Sequence, residues 1–396
     1  MSATPRRVVH VIAEFSPHEA MGRTIVETAS RLPGEHVVIT TRAHQLHQVH
    51  ALFAEVVELG GSVASFPLGR QDALAAALDR LDPDVVHLHG GGLTPWWAAL
   101  PSLRHRPKAV TMYAWPTLPP WRQVRGSSWG EMVRSNVLQP RVLATSVLPA
   151  VAARAMLRAS GTRAVLTPDP RAERRLRPSR RSGRGGRGGW GSRVQRLRTG
   201  ATGDTRRATW QDSAPTIVFA GRAETVRGLD TLLDAFPEVL RAVPEARLRL
   251  LLLPRPELPA LLGRVRDAAV AEHVDVVTEP IADLGAELAA ARVGVWPFKF
   301  DYTTSPPAMA LVEGLSVGLP VVGSDVACVR SVLDDERGGL VVPPSDPAAL
   351  AAALVRLLTD RTLWEDQARA ALDVSASCDW ETATRVTDDA YALVGR

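Results

Sequence analysis

The chain has 396 residues, 45% of them hydrophobic, and its 47 basic and 42 acidic side chains leave a net charge of +5. That length suggests two or three domains of about 150 residues, and the apolar content excludes a wholly disordered chain. No stretch approaches the roughly 20 apolar residues of a membrane span. The strongest run, Leu250 to Leu253, is cut by Arg249 and Pro254.

Taken in chain order, residues 8–13 form a short β-branched run that predicts a strand. Glu14 interrupts it too early for a signal peptide after Arg6 and Arg7. Residues 24–32 carry Ile25, Val26, Ala29 and Leu32 at helical spacing. Residues 36–40 read as a strand and 48–59 as a helix. The alternation continues through 62–66, 73–81, 85–88, 96–103 and 109–112, and closes with 141–146, 151–157 and 164–166. Near-continuous apolar strands separated by helices predict a parallel sheet with helices on both faces.

Residues 169–213 break the pattern. Ser179 to Ser192 reads SRRSGRGGRGGWGS, with too little apolar surface to offset chain entropy, and predicts a disordered linker. Thirteen arginines against Glu173 and Asp204 put +11 into residues 171–210, so the rest of the chain nets −6. The basic balance therefore describes one segment. It suits weak contact with an anionic membrane. A nucleic-acid role is not expected, because Trp190 is the lone aromatic residue within the Arg/Gly string. The alternation resumes over 216–220, 229–243, 248–253, 258–271, 274–278, 282–291 and 293–296. It ends with 308–317, 320–322, 340–342, 348–358 and a final helix over 380–393. Two α/β halves predict a two-lobed molecule with a central cleft and ligands at the carboxyl ends of its strands. Cys328 and Cys378 are too few for a disulfide framework, and no Cys/His spacing suggests a metal site. A reducing, cytoplasmic compartment fits.

Two stretches carry chemistry. In TIVFAGRAETVRGLDTLLDAF, residues 216–236, Arg222 ends a strand and Arg227-Gly228 opens an amphipathic helix. Two guanidinium groups at a strand-to-helix turn suit a doubly charged anion such as a diphosphate. In YTTSPPAMALVEGLSVGLPVV, residues 302–322, Pro306-Pro307 suits a helix start. Ala308 and Met309 then lie at a helix N-terminus that favours phosphate. Glu313 is the one acid of that helix and can accept hydrogen bonds from vicinal hydroxyls.

These stretches resemble family 4 glycosyltransferases of the retaining type and the GT-B fold, two Rossmann-like α/β domains facing a central cleft. GRAETVRGLDTLLDAF resembles the family's Gly-Arg signature, with Arg227 where lysine is usual. ALVEGLSVGLPVV resembles its Glu-containing helix, and residues 338–360 its next strand and helix. DVVHLHG, residues 84–90, and FSPHEAMG, residues 15–22, match more loosely. The resemblance implies an acceptor-side domain over 1–168, the linker 169–213 and a donor-side domain over 214–375. Residues 376–396 would be a helix crossing back to the first domain. It implies sugar transfer from a nucleotide-sugar co-substrate to an unidentified acceptor, without metal or other cofactor. Arg222 and Arg227 would hold the diphosphate and Glu313 the ribose, with Gly22, Ala308 and Met309 also at the donor.

The family's sugar-contacting Glu falls at Ser305, and its fifth-strand His at Tyr113; these two positions are the candidate catalytic residues. The glycine-rich turn expected after Leu253 reads Pro254-Arg255-Pro256. His87 and His89 alternate on a strand, so one of them faces the cleft, and His89, at the strand end, is the candidate acceptor residue. Trp115, in a Pro-rich loop, is a candidate stacking platform for the acceptor. His44, His47 and His50 lie at helical spacing without an acid partner and read as a solvated face. The departures also support an alternative: a degenerate GT-B protein that binds nucleotide or a partner without catalysis.

Overall fold

A computed structural model describes residues 6–17, 19–113, 150–177, 193–196, 206–300, 304, 307–333 and 335–394. The described residues divide into two compact units. One comprises those up to residue 196 together with those from Trp380 onward, and the other comprises residues 206–379.

The first unit is a seven-stranded parallel sheet. Its strands are β1 (Arg7–Ile12), β2 (Glu35–Thr40), β3 (Glu55–Glu58), β4 (Val85–Gly90), β5 (Lys108–Met112), β6 (Ala164–Thr167) and β7 (Arg193–Arg196). They lie in the order β3-β2-β1-β4-β5-β6-β7, so the winding reverses between β1 and β4. Helices α1 (Ala20–Arg31), α2 (Gln71–Leu81), α3 (Thr94–Ala98), α4 (Ala150–Ala159) and α5 (Pro170–Leu176) accompany them. Alternate residues face opposite sides of a strand, and here the two sides differ in chemistry. Val9, Val11, Val37, Ile39, Val86, Leu88, Val110 and Val165 form an apolar core with Leu74, Leu78, Leu157 and Leu176. Each such side chain contributes about 1.5–3 kcal/mol by leaving water. The opposite side carries buried His10, His36, His87, His89 and Thr111.

The second unit is a six-stranded parallel sheet in the order β10-β9-β8-β11-β12-β13. Its strands are β8 (Thr216–Arg222), β9 (Arg247–Leu253), β10 (Val274–Val277), β11 (Val293–Trp296), β12 (Val321–Ser324) and β13 (Gly339–Val342). Its helices are α6 (Leu229–Ala242), α7 (Leu258–Asp267), α8 (Leu284–Ala290), α9 (Met309–Ser316), α10 (Ala327–Arg330), α11 (Pro347–Thr359) and α12 (Arg361–Ala376). A further helix, α13 (Trp380–Val394), packs on α1, β5 and β6 of the first unit. No helix among the described residues is long and apolar enough to cross a membrane.

Three sequence expectations need correction. Residues 48–59 are not one helix. Two short 3-10 turns, Leu46–Gln48 and His50–Leu52, lead into β3. Buried Phe53 is extended, and the Ala54 N–H donates to His36 O, so pairing beside β2 outweighs the helical spacing. Residues 62–66 hold a 3-10 turn, Val63–Ser65, and not a strand.

The disordered linker expected over 169–213 contains ordered segments. Pro170–Leu176 is helical, and Arg193–Arg196 pairs with β6 at the sheet edge. An edge strand needs few apolar residues, and Val194 supplies a buried one. Residues 206–213 join the second unit. The Ala208 N–H donates to Val317 O at 2.7 Å, and Trp210 meets Trp364 edge to face at 6.0 Å. Residues 178–192, including the Gly-rich string, lie outside the described residues.

Candidate functional site

In the second unit the winding reverses between β8 and β11. Crevices at such reversals, beyond the carboxyl ends of the strands, are where open α/β sheets bind ligands. Arg222 is the last residue of β8. The turn Thr225–Arg227 and Gly228 then carry the chain into α6. Gly228 has φ +73°, and a Cβ there would meet Pro297 O at 1.8 Å, so only glycine allows this close crossing. The Lys299 N–H closes the crossing by donating to Val226 O at 3.1 Å. The Trp296 indole N–H donates to Ala220 O at 3.1 Å and holds the ends of β11 and β8 together.

The charges of this turn gather on Glu224. Its Oε2 accepts from Arg227 Nε at 3.3 Å, and its Oε1 lies 3.7 Å from Arg222 and 3.8 Å from Arg255 Nε. The Arg227 side chain is 10% exposed and lies over Phe298 at 5.2 Å, whereas that of Arg222 is 31% exposed. Burial pulls the Arg227 pKa down, with Glu224 opposing that pull. Arginine stays charged regardless, so burial strengthens its field. Thr225 donates its N–H at 2.6 Å, and also its hydroxyl, to Glu257. Lys299 pairs with Asp230 at 2.5 Å.

Helix α9 begins at Met309 with Ala308 as its N-cap, two residues beyond Pro307, and no side chain caps it. Leu311, Val312 and Leu315 are buried, while Glu313 is half-buried. The donor-side candidates Arg222, Arg227, Ala308, Met309 and Glu313 thus all belong to this one unit. Ser305, a candidate catalytic residue, lies outside the described residues.

In the first unit the candidates turn inward. His89 is 1% exposed and Tyr113 2%. His87 and His89 share a face, because residues two apart on a strand do. Their ring centroids are 3.9 Å apart. This corrects the expectation that one of them faces a cleft. His89, the acceptor candidate, and Tyr113, a catalytic candidate, are both buried in this structure.

The buried rings form a directional chain. The Leu32 carbonyl can only accept, so His36 donates its Nε2–H to it at 3.3 Å. His36 Nδ1 therefore accepts from His10 Nε2 at 3.0 Å, and His10 Nδ1 from His89 Nε2 at 3.1 Å. His89 Nδ1 accepts from the Tyr113 hydroxyl at 3.2 Å. His87 bonds Tyr391 at 2.7 Å and Thr111 at 2.6 Å. The tautomers follow from this network. Burial, with mutual repulsion of the rings, drives the pKa of His10 and His89 well below normal and that of His87 to about 3. Burial also raises Tyr113 and Tyr391. All these rings are neutral at pH 7.

Nitrogens of His10, His87 and His89 lie within 4.8 Å of one another, a grouping capable of holding an ion. Sequence spacing missed it because the sheet register places His10 opposite His87. Gly22, a donor candidate, sits in α1, where a Cβ would meet Ser16 O at 2.0 Å. Packing against Ser16 by itself requires a glycine there. Trp115 lies outside the described residues. His44 has an acid partner after all, Glu14 at 2.8 Å.

Residues 214–360 match the family model described as Glycosyl transferases group 1. Over 180 residues the chain is 32% identical to a phosphatidyl-myo-inositol mannosyltransferase of Mycobacterium leprae, covering 45% of this chain and 46% of that protein. It thus spans about half the length of the curated relatives it matches. A sucrose-phosphate synthase of Thermosynechococcus elongatus superposes with a TM-score of 0.71 at 16% identity, covering 98% of each chain. Anabaena HepE, solved in complex with UDP and glucose, gives 0.69 at 13%, over 97% of this chain and 98% of that one. At those identities the likeness is one of fold. The match to the glycosyl transferases group 1 model thus lies in the second unit, over residues 214–360, and the two α/β units have the GT-B fold.

Proposed function

We propose that this protein is a retaining glycosyltransferase that uses a nucleoside-diphosphate sugar. The observation that carries the reading is the pair Arg222 and Arg227 at the winding reversal of the sheet that matches the family model. Breaking the bond between the sugar and the β-phosphate leaves negative charge on the diphosphate. Two fixed guanidinium groups stabilise that charge as it develops, and a half-desolvated setting strengthens them. That supports transfer without a metal ion. Glu313 takes the ribose hydroxyls. A leaving phosphate oxygen takes the acceptor's proton on the same face, so no protein base is needed. The acceptor belongs to the first unit.

The test is a panel of UDP-, GDP- and ADP-sugars incubated with the protein and EDTA. Release of nucleoside diphosphate and a product of unchanged anomeric configuration, read by NMR, are expected. Absence of both nucleotide binding and release defeats the reading. One observation favours a second reading, nucleotide binding without transfer: the Tyr113 hydroxyl is committed to His89. Binding with neither transfer nor donor hydrolysis would establish it.

A further inference from the structure

The donor-site reading assigns two arginines, but three guanidinium groups converge on Glu224. The third, Arg255, comes from the loop after β9, with Nε 3.8 Å from the Glu224 oxygen that also faces Arg222. Its place is set by a stiff frame. Arg222 pairs with Leu253 in the β8–β9 register, and the Ala223 N–H donates to Leu253 O at 3.0 Å. Pro254 and Pro256 bracket Arg255 and fix φ on either side of it. Beyond them, Glu257 accepts both the N–H and the hydroxyl of Thr225. The two loops are therefore zipped together on both sides of Arg255.

A solvated surface arginine is the simpler alternative, and an exposed pair at 3.8 Å contributes little. Two features argue against it. The Arg255 side chain is only 33% exposed, and it is drawn toward two other cations that repel it. The contacts to Glu224, at 3.3, 3.7 and 3.8 Å, are also longer than the roughly 2.7–2.9 Å of a charge-assisted hydrogen bond. Glu224 thus gathers the three groups at these lengths, while Arg255 Nη1 also donates to Pro254 O at 3.2 Å.

We infer that Arg255 is a third ligand of the donor diphosphate, and that Glu224 holds the place the diphosphate takes. This rests on the donor-site reading above. A diphosphate spans three guanidinium groups, whereas a monophosphate reaches fewer. The site therefore selects diphosphate over monophosphate esters.

Calorimetry on the full chain with UDP, GDP and ADP, and with the matching monophosphates, tests this. Arg255→Ala is expected to weaken the preferred diphosphate about tenfold and the monophosphate less than about twofold. Arg255→Lys should fall between, as a point charge without the fork. Glu224→Gln should tighten the diphosphate about threefold and steepen its salt dependence. Unchanged thermal melting confirms that each variant folds. Equal losses for both nucleotides, or no loss, in Arg255→Ala while Arg222→Ala still weakens binding would overturn the role of Arg255 alone. Weaker or unchanged binding by Glu224→Gln would overturn the placeholder. No binding of any nucleoside diphosphate by the unaltered chain would overturn the donor-site reading and this inference together.

Discussion

The two units wind their sheets alike and use the polar residues of their central strands in opposite ways. In the first unit, His36, His10, His89 and Tyr113 satisfy one another in a closed, neutral chain ending on Leu32 O. In the second, Arg222, Arg227 and Arg255 stay charged and gather around one carboxylate, Glu224, with Arg227 buried and the other two about a third exposed. A fully satisfied buried network rigidifies a core. Like charges gathered beside a winding reversal instead suit an anionic ligand. The contrast assigns stability to one set of polar residues and recognition to the other.

The sharpest way to break that contrast is to exchange the roles. Arg222→Ala and Arg227→Ala should each cost about 1.5–3 kcal/mol of nucleoside diphosphate affinity by calorimetry, whereas His89→Gln should shift it less than about twofold. The reverse pattern would collapse the distinction.

Acid should expose the stabilising role of the histidines. His87 titrates near 3 in the folded protein against 6.5 unfolded, mainly through burial. Between those values the unfolded chain binds a proton that the folded one refuses. The contribution is thus present above pH 6.5 and is lost as pH falls toward 3. Going from pH 7 to 4.5 should remove about 2.5 kcal/mol through this group. Urea titrations should show a shallower loss for His87→Gln; an identical loss would free His87 of this role.

Tyr391→Phe strips His87 of one buried partner. It should lower stability by about 1–2 kcal/mol, visible as an earlier urea midpoint with nucleotide affinity unchanged. A smaller effect is expected at Glu313. Glu313→Gln should reduce ribonucleotide affinity by about 1 kcal/mol and leave the 2′-deoxy analogue alone. Equal affinity for both in wild type and variant would remove Glu313 from the ribose. The smallest change is for the Gly-rich string: a Gly/Ser replacement of residues 179–192 of equal length should leave nucleotide affinity where it was.

The second unit was readable because its signals are local. β8 is a continuous apolar run, and Arg222, Arg227 and Gly228 fall within one turn of sequence. The Glu313 helix was equally plain, though its start moves to Met309. What escaped reading is non-local or weakly patterned. The histidine chain depends on β1, β2, β4 and β5 coming into register, and on His87 and His89 sharing a face. Arg255 joins Glu224 only because β9 lies beside β8. β7 hides in a basic string because RVQR buries so little, and β3 hides because Val56 and Val57 also fit a helical spacing.

Helix α13 follows the whole second unit in sequence yet covers the histidine face of the first, through Tyr391 on His87. During synthesis the first sheet must therefore wait, His87 without its Tyr391 partner, while some 180 intervening residues are made. At roughly 5–20 residues per second, that interval is on the order of ten seconds or more. The later-made sheet has its full complement of strands and helices first. A stop before Trp380 would leave His87 with its tyrosine partner never made.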